Sequence, residues 1–438
     1  MRHADDIVTS VQAVRSCIEG VHVTTSGGTS VEQAIAWLET TWDPELTVAE
    51  WWQHLSDARL SNPMLPEPWG RGWNRAEAGT FASAMVAKGA LGPPTGIGMM
   101  LAAPTILAHG SGELVERYVP NILNGRDGWC QLFSEPGAGS DLAGLQTKAE
   151  RDGDEWVVNG QKVWTSGGQW ADFGILVARS DADLPKHKGL SYFAFPMHQP
   201  GVEVRPLREM TGHAMFNEVF LADARVADAD MIGDLNDGWR VANTTLMIER
   251  ASIGGAGAAA PSAAIAGSVA GHLGRPAGSF DNEAVRMGGG GIGHKRVRQF
   301  IELARSNGRI EDPSVRQEIA RLYTMVEITA WHIGRTRTGN AATGGEGNLA
   351  KLRNSDMTRL AREIGASILG AGATITGSHS PTAGDVQELI VFSPAPSIYG
   401  GTDQVQRNII GERVLGLAKE PGPSSSTPFK ELLQNPAR

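Results

Sequence analysis

Apolar residues that return every third or fourth position mark the first third of the chain as helical. One such stretch runs from Val31 to Thr41 and closes at Asp43-Pro44. The next starts at Thr47 and carries Ala49 to Leu60, and a third spans Arg75 to Gly89. After Pro93-Pro94 come Gly96 to His109 and Glu113 to Leu123. Their connections are short, which predicts helices packed on helices in an N-terminal domain over residues 1–130. Residues 1–35 are weakly periodic, with Thr24 to Ser30 reading as a turn or linker.

The period then changes. Phe173 to Ala178, Ser191 to Phe195, Val202 to Arg205 and Glu218 to Leu221 are strand-length runs divided by Pro, Gly and Asp turns. Glu155 to Trp164 reads as two further strands around Asn159-Gly160, a strong hairpin signal. Residues 131–235 are therefore expected to form a small antiparallel barrel or sandwich. Helical pattern resumes at Gly238 and recurs over His294–Asn307, Pro313 to about Thr338 and Leu349–Ile368, giving a C-terminal helical domain over 236–420. Between Gly254 and Gly293 the chain is rich in Gly and Ala. No strand precedes its glycine run and no Lys-Ser/Thr follows, so it reads as a flexible insertion rather than a phosphate loop. Pro421 to Pro428 opens an expected flexible tail, 421–438. The fold class is α+β: helical domain, β domain, helical bundle.

Composition narrows the function. A 438-residue chain exceeds one typical core, and 41% hydrophobic with 20% charged residues describes a globular protein. The net charge of −9 is spread out and leaves no nucleic-acid footprint. Cys17 and Cys130 are too few for a disulfide framework or a structural zinc site, and no metal site is expected. No apolar run nears membrane-spanning length, and Met1-Arg-His-Ala-Asp-Asp has no signal pattern, so a cytoplasmic location is expected.

The chemistry begins at Gln131-Leu-Phe-Ser-Glu-Pro-Gly-Ala-Gly-Ser-Asp-Leu142. Pro136 disfavours helix before it, and Gly137 and Gly139 let the backbone approach a ligand. Ser134 and Ser140 add hydroxyls beside successive N–H groups, a cradle for phosphates or a polar ring edge. Alone, it is equally an ordinary tight turn. Downstream, Trp164-Thr-Ser-Gly-Gly168 places an aromatic, hydroxyls and two glycines together; alone, Trp164 reads as a core aromatic ending a strand.

The order cradle, hairpin, Trp, hydroxyl, Gly-Gly closely resembles the acyl-CoA dehydrogenase family, and the resemblance covers about residues 45 to 420. It implies FAD, an acyl-CoA substrate and an electron-transfer flavoprotein as acceptor. Gln131, Phe133, Ser134, Gly139 and Ser140 then lie along the cofactor, Trp164 packs on the flavin ring and Ser166 hydrogen-bonds it. Ser140, Arg250 and Tyr399 fall at substrate positions, while Gly370, Thr402 and Gln404 touch FAD from a neighbouring subunit of a homodimer or homotetramer.

Desaturating an acyl thioester needs a carboxylate for the α-proton, and the resemblance offers two positions for it. In many members it follows Tyr in Ile-Tyr-Glu-Gly-Thr, but here Ile398-Tyr-Gly-Gly-Thr402 puts Gly400 there. Gly400 keeps a backbone N–H for the thioester oxygen, and Thr402 can cap a helix to about Leu417 whose start is a plausible anion site. The second position lies directly before an arginine on the helix after the β domain, and Leu246-Met-Ile-Glu-Arg250 matches it. Trp239, Ala242, Leu246, Glu249 and Ile253 share one helix face, so Glu249 sits in an apolar stripe, suited to a base with a raised pKa or to a buried structural acid. The resemblance selects the base. Two departures stand against it: the family's Arg-x-x-Phe-Gly has no clear match, and its Gln-x-Phe-Gly-Gly reads Ser367-Ile-Leu-Gly-Ala371. They leave room for a non-catalytic partner of a paralogue, or for oxidase or desulfinating chemistry on CoA thioesters.

Overall fold

The computed structural model describes residues 30–253, 262–280, 292–337, 344–377, 379–419, 421–422 and 424–432, with side chains at 250–253 and 336–337 outside that description. Helices α1 (Val31–Thr41), α2 (Val48–Asp57) and α3 (Arg75–Lys88) each start with a capping box, at Ser30/Gln33, Thr47/Glu50 and Asn74/Glu77. Each box satisfies backbone donors the first turn would otherwise leave free. Helices α4 (Ala103–His109) and α5 (Gly112–Leu123) complete the set. Its centre is the fully buried pair Trp51 and Trp52, whose indole N–H groups donate to Leu91 O (2.7 Å) and Gly92 O (2.9 Å).

Part of the Gly/Ala-rich insertion belongs to this core, which corrects the flexible-linker reading for residues 262–280. Val48 N donates to Arg275 O (2.9 Å) and Ala49 N to Leu273 O (3.0 Å), so two free donors of α2's first turn are satisfied by the inserted chain. In return Ala277 N bonds Leu46 O (2.7 Å) and Gly278 N bonds Pro44 O (2.9 Å), while Ala264 and Ala277 are buried beside the tryptophans. The side chains of a Gly/Ala-rich segment offer little apolar area to bury, and here the backbone holds the segment instead. Residues 254–261 and 281–291 of the insertion lie outside the described residues. Replacing residues 258–288 by a short Gly/Ser link should destabilise the protein, since four such bonds contribute about 0.5–1.5 kcal/mol each. A melting temperature equal to wild type would contradict this.

Seven strands form one sheet: β1 (Trp129–Leu132), β2 (Lys148–Asp152), β3 (Glu155–Lys162), β4 (Phe173–Arg179), β5 (Leu190–Pro196), β6 (Val202–Leu207) and β7 (Phe216–Ala227). The order is β1-β4-β2-β3-β7-β6, with β5 also paired to β4. The sheet is mixed, not antiparallel as expected. β1 and β2 both run parallel to β4, through Trp129↔Phe173 to Leu132↔Leu176 and then Lys148↔Arg179. The loop 133–147 is thus an excursion between two strands that follow one another along one strand of the sheet. The hairpin expected at Asn159-Gly160 is absent too, because β3 runs straight through it and pairs along its length with β7. Gly160 serves close approach instead, as a Cβ there would meet Thr147 Oγ1 at 2.3 Å. The turn falls earlier, at Gly153 (φ +68°) between β2 and β3.

Helix α6 (Gly238–Ile253) returns across the sheet, and its Val241 and Ala242 share a buried cluster with Leu190, Tyr192 and Ile175. Helices α7 (His294–Ser306), α8 (Pro313–Arg337), α9 (Glu346–Leu369), α10 (Asp385–Phe392) and α11 (Asp403–Ile409) make the C-terminal bundle. Asp403 fastens α11 to α9 by accepting from Lys351 Nζ (2.9 Å), Ser355 Oγ (2.8 Å) and Arg359 Nη1 (3.0 Å). Burial opposes the charge, but those donors hold the Asp403 carboxyl down at about 2. The tail is not wholly free either: Phe429 is buried against the β domain. No described helix is long and apolar enough to cross a membrane.

Candidate active site

Two buried cations shape the 133–147 loop from behind. Lys162 is fully buried and donates to Glu135 Oε1 (2.9 Å), Phe133 O (3.1 Å) and Val177 O (2.9 Å). Glu135 in turn accepts from Gln146 N (2.7 Å) and Thr147 N (2.9 Å), so one carboxylate closes the loop's two ends. Burial alone would raise the Glu135 pKa, yet the Lys162 ammonium and the amide donors hold it below the usual range. Burial draws Lys162 down, against the pull of Glu135. Arg179 is the second cation, donating to Ala143 O (2.6 Å) and Leu145 O (3.2 Å). No motif in the sequence ties Glu135 to Lys162. The signal for Lys162 is its period: it continues the inward-facing period of Trp156 and Val158 along β3.

The loop's other side is open. Gly139 and Ser140 are exposed, and a Cβ added at Gly139 would meet nothing within 4 Å. Ser134 O accepts from Val163 N (2.9 Å), bringing the loop against the end of β3. There Trp164 adopts φ +63° and stands 57% exposed, edge-on to Phe216 at 5.6 Å. A left-handed tryptophan is strained, and the strain turns a large ring away from the core. Thr165 anchors it by exchanging backbone bonds with Asn217 (3.1 and 3.0 Å), and Ser166 follows, exposed. The Phe133 ring is buried, edge-on to Tyr192 (5.8 Å). An open glycine loop beside a strained, exposed aromatic fits a flat ring system with a polar edge. Trp164→Ala should weaken FAD binding roughly tenfold through lost ring contact. Unchanged FAD affinity in an equilibrium titration would remove Trp164 from the site.

Glu249, on α6, meets β1 just before that strand enters the loop. It is half-buried, and Gln131 Nε2 on β1 donates to its Oε2 at 3.4 Å. One turn earlier, Thr245 Oγ1 lies 3.0 Å from both Tyr192 OH and Thr105 Oγ1, which pins the helix to β5 and α4. Burial raises the Tyr192 pKa, and the Glu249 charge adds to that. The Arg250 side chain lies outside the described residues.

The C-terminal candidates lie on other elements. Gly400 (φ +63°) and Gly401 (φ +80°) form a left-handed turn that Gln406 ties down, its Nε2 donating to Gly400 O (2.7 Å) while its Oε1 accepts from Asn348 Nδ2 (2.5 Å). Thr402 caps α11 as expected, accepting from Val405 N (3.2 Å). That helix ends at Ile409, short of Leu417, and widens over Ile410–Val414. Seven residues are too few to make its start an anion site. Tyr399 is part-exposed beside Phe392 (6.4 Å), and burial raises its pKa. Gly370 and Gln404 are exposed. No described hydrogen bond joins Gly370, Tyr399, Gly400, Thr402 or Gln404 to the 133–147 loop.

A helix carboxylate hydrogen-bonded to the strand that enters an open glycine loop, with a presented aromatic beside that loop, is compatible with a flavin-type oxidoreductase site. The chain belongs to the acyl-CoA dehydrogenase family. The family's middle-domain profile matches residues 130–224 and its C-terminal-domain profile residues 273–415. Acyl-CoA dehydrogenase IpdE1 of Mycobacterium tuberculosis is 36% identical over 374 residues, 84% of this chain and 88% of that protein. FadE34 of the same organism is 36% identical over 83% of this chain, which spans 46% of FadE34. Among solved structures, the Tcur3481-Tcur3483 steroid ACAD superposes with a TM-score of 0.66 at 23% identity, covering 89% of this chain and 97% of that one. A chain of the ChsE4-ChsE5 complex from Mycobacterium tuberculosis gives 0.64 at 24% identity, covering 91% and 100%. The family is FAD-dependent and acts on acyl-CoA.

Proposed function

We propose that this chain desaturates the α,β bond of an acyl-CoA, with Glu249 as base, and passes the electrons to an electron-transfer flavoprotein. The observation that carries this is the meeting of Glu249 with Gln131 at the mouth of the 133–147 loop. FAD, held along Gln131–Ser140 and packed on Trp164, supplies the acceptor for the β-hydride. Glu249 takes the α-proton, and the Gln131 amide, donating to the carboxylate, fixes its aim. The Gly400 N–H polarises the thioester oxygen, a task that needs no side chain. Ser140, Arg250 and Tyr399 line the thioester's path, and Gly370, Thr402 and Gln404 reach the FAD of a second subunit.

Anaerobic addition of acyl-CoA thioesters to the FAD-loaded protein should bleach its flavin band. The Tcur3481-Tcur3483 neighbour is a steroid ACAD, so the panel runs from straight chains to a steroid-ring thioester. Bound FAD that no thioester bleaches would favour a second reading, a non-catalytic subunit paired with a catalytic paralogue. Gly400 in place of an acid is the observation behind that reading, and one solved neighbour is a complex of two named proteins.

A further inference from the structure

Residues 424–432 lie along the connection between β4 and β5. Phe429 N donates to Leu184 O (2.9 Å) and Lys430 N to Ala182 O (3.1 Å), while Lys430 pairs with Asp183. The Phe429 ring lies 3.4 Å from the Arg179 guanidinium carbon, and both side chains are buried. Arg179 directs its donors to Ala143 O and Leu145 O at the end of the loop, and to Lys186 O (3.1 Å). Lys186 then reaches back to both carboxylate oxygens of Asp141 (2.8 and 2.9 Å). On its far side this connection places His187 against Trp239 of the first turn of α6, 4.9 Å between ring centres. One short connection therefore touches the ligand loop, the helix carrying Glu249 and the C-terminal strap.

We propose that Phe429 is a positioning residue of the FAD cradle: the strap covers Arg179, and Arg179 holds residues 141–147 in the binding shape. This rests on the reading of the 133–147 loop as that cradle. Three carbonyl bonds from one guanidinium stay strong only while water is kept from its open face, and the Phe429 ring closes that face. Coupling of this kind is reciprocal. If the strap favours FAD, FAD must hold down the strap by the same factor.

The test compares FAD dissociation constants of wild type, Phe429→Ala and Phe429→Tyr by flavin fluorescence, together with tryptic cleavage at Lys430 with and without FAD. Phe429→Ala should weaken FAD binding on the order of tenfold, Phe429→Tyr should keep it, and FAD should slow wild-type cleavage by a similar factor. A strap that merely adds stability would leave the cleavage rate indifferent to FAD, and that result overturns the proposal whether or not Phe429→Ala folds. An unchanged FAD constant in folded Phe429→Ala overturns it as well. Trp164→Ala separates the two readings: if it weakens FAD while Phe429→Ala does not, the cradle stands and the strap's role falls. If neither does, the cradle itself is misplaced.

Discussion

Glu249→Gln should slow anaerobic flavin reduction by the preferred acyl-CoA by about 10² to 10⁴, the usual contribution of a positioned base. Glutamine keeps the size and can still meet the Gln131 amide, so FAD and thioester should bind as before. The loss is confined to the proton-accepting step and shows in single-turnover rates, not in dissociation constants. Near wild-type reduction would make Glu249 a half-buried structural acid. Moving the acid by Glu249→Gly with Gly400→Glu should restore little. Gly400 sits at φ +63°, where a glutamate is strained, and Gln406 ties that turn in place.

Lys162→Met should cost about 3–5 kcal/mol in urea unfolding, because it strands the Glu135 carboxylate in a dry interior. Adding Glu135→Gln should recover part of that loss by removing the unpaired charge. The two proteins should also respond to acid in opposite senses. In wild type the Glu135 pKa is depressed, so its stabilisation is present above the unfolded pKa and is lost as pH falls through the folded one. In Lys162→Met the buried carboxyl should have a raised pKa, so the deficit is full at neutral pH and shrinks as the group protonates on the way down to its unfolded pKa. Parallel pH profiles for the two proteins would show that the pair is not coupled as the geometry indicates. Because Glu135 accepts from Gln146 and Thr147, FAD affinity should fall with stability in the single variant.

The sequence read well wherever the cause of structure was local. Capping residues at Ser30, Thr47 and Asn74 and the 3.6-residue period place α1 to α3 near where the sequence puts them, because both act within a turn or two of the chain. Glu249 stood out for the same reason, as an acid in a stripe whose Ala242 and Leu246 pack on the core. Asn159-Gly160 shows the limit of local evidence. The dipeptide favours a turn, but pairing with Val219 to Ala227 of β7 on both sides of it outweighs that preference and carries β3 straight through.

What the sequence by itself determined was most of the helices, strands β4 to β7, the glycine loop and the acid on the helix face. What only the tertiary structure decided was partnership between residues far apart in the chain. β1 and β2 follow one another along β4, Lys162 pairs with Glu135, residues 262–280 satisfy the start of α2, and Phe429 covers Arg179. The physical reason is common to all four. A buried charge or a free backbone donor must be met by something, but its chemistry names the kind of partner and not the address. Many carbonyls and several acids in this chain would have served Lys162 equally well, and the packing of β3 against the loop and β4 chose Glu135, Phe133 and Val177.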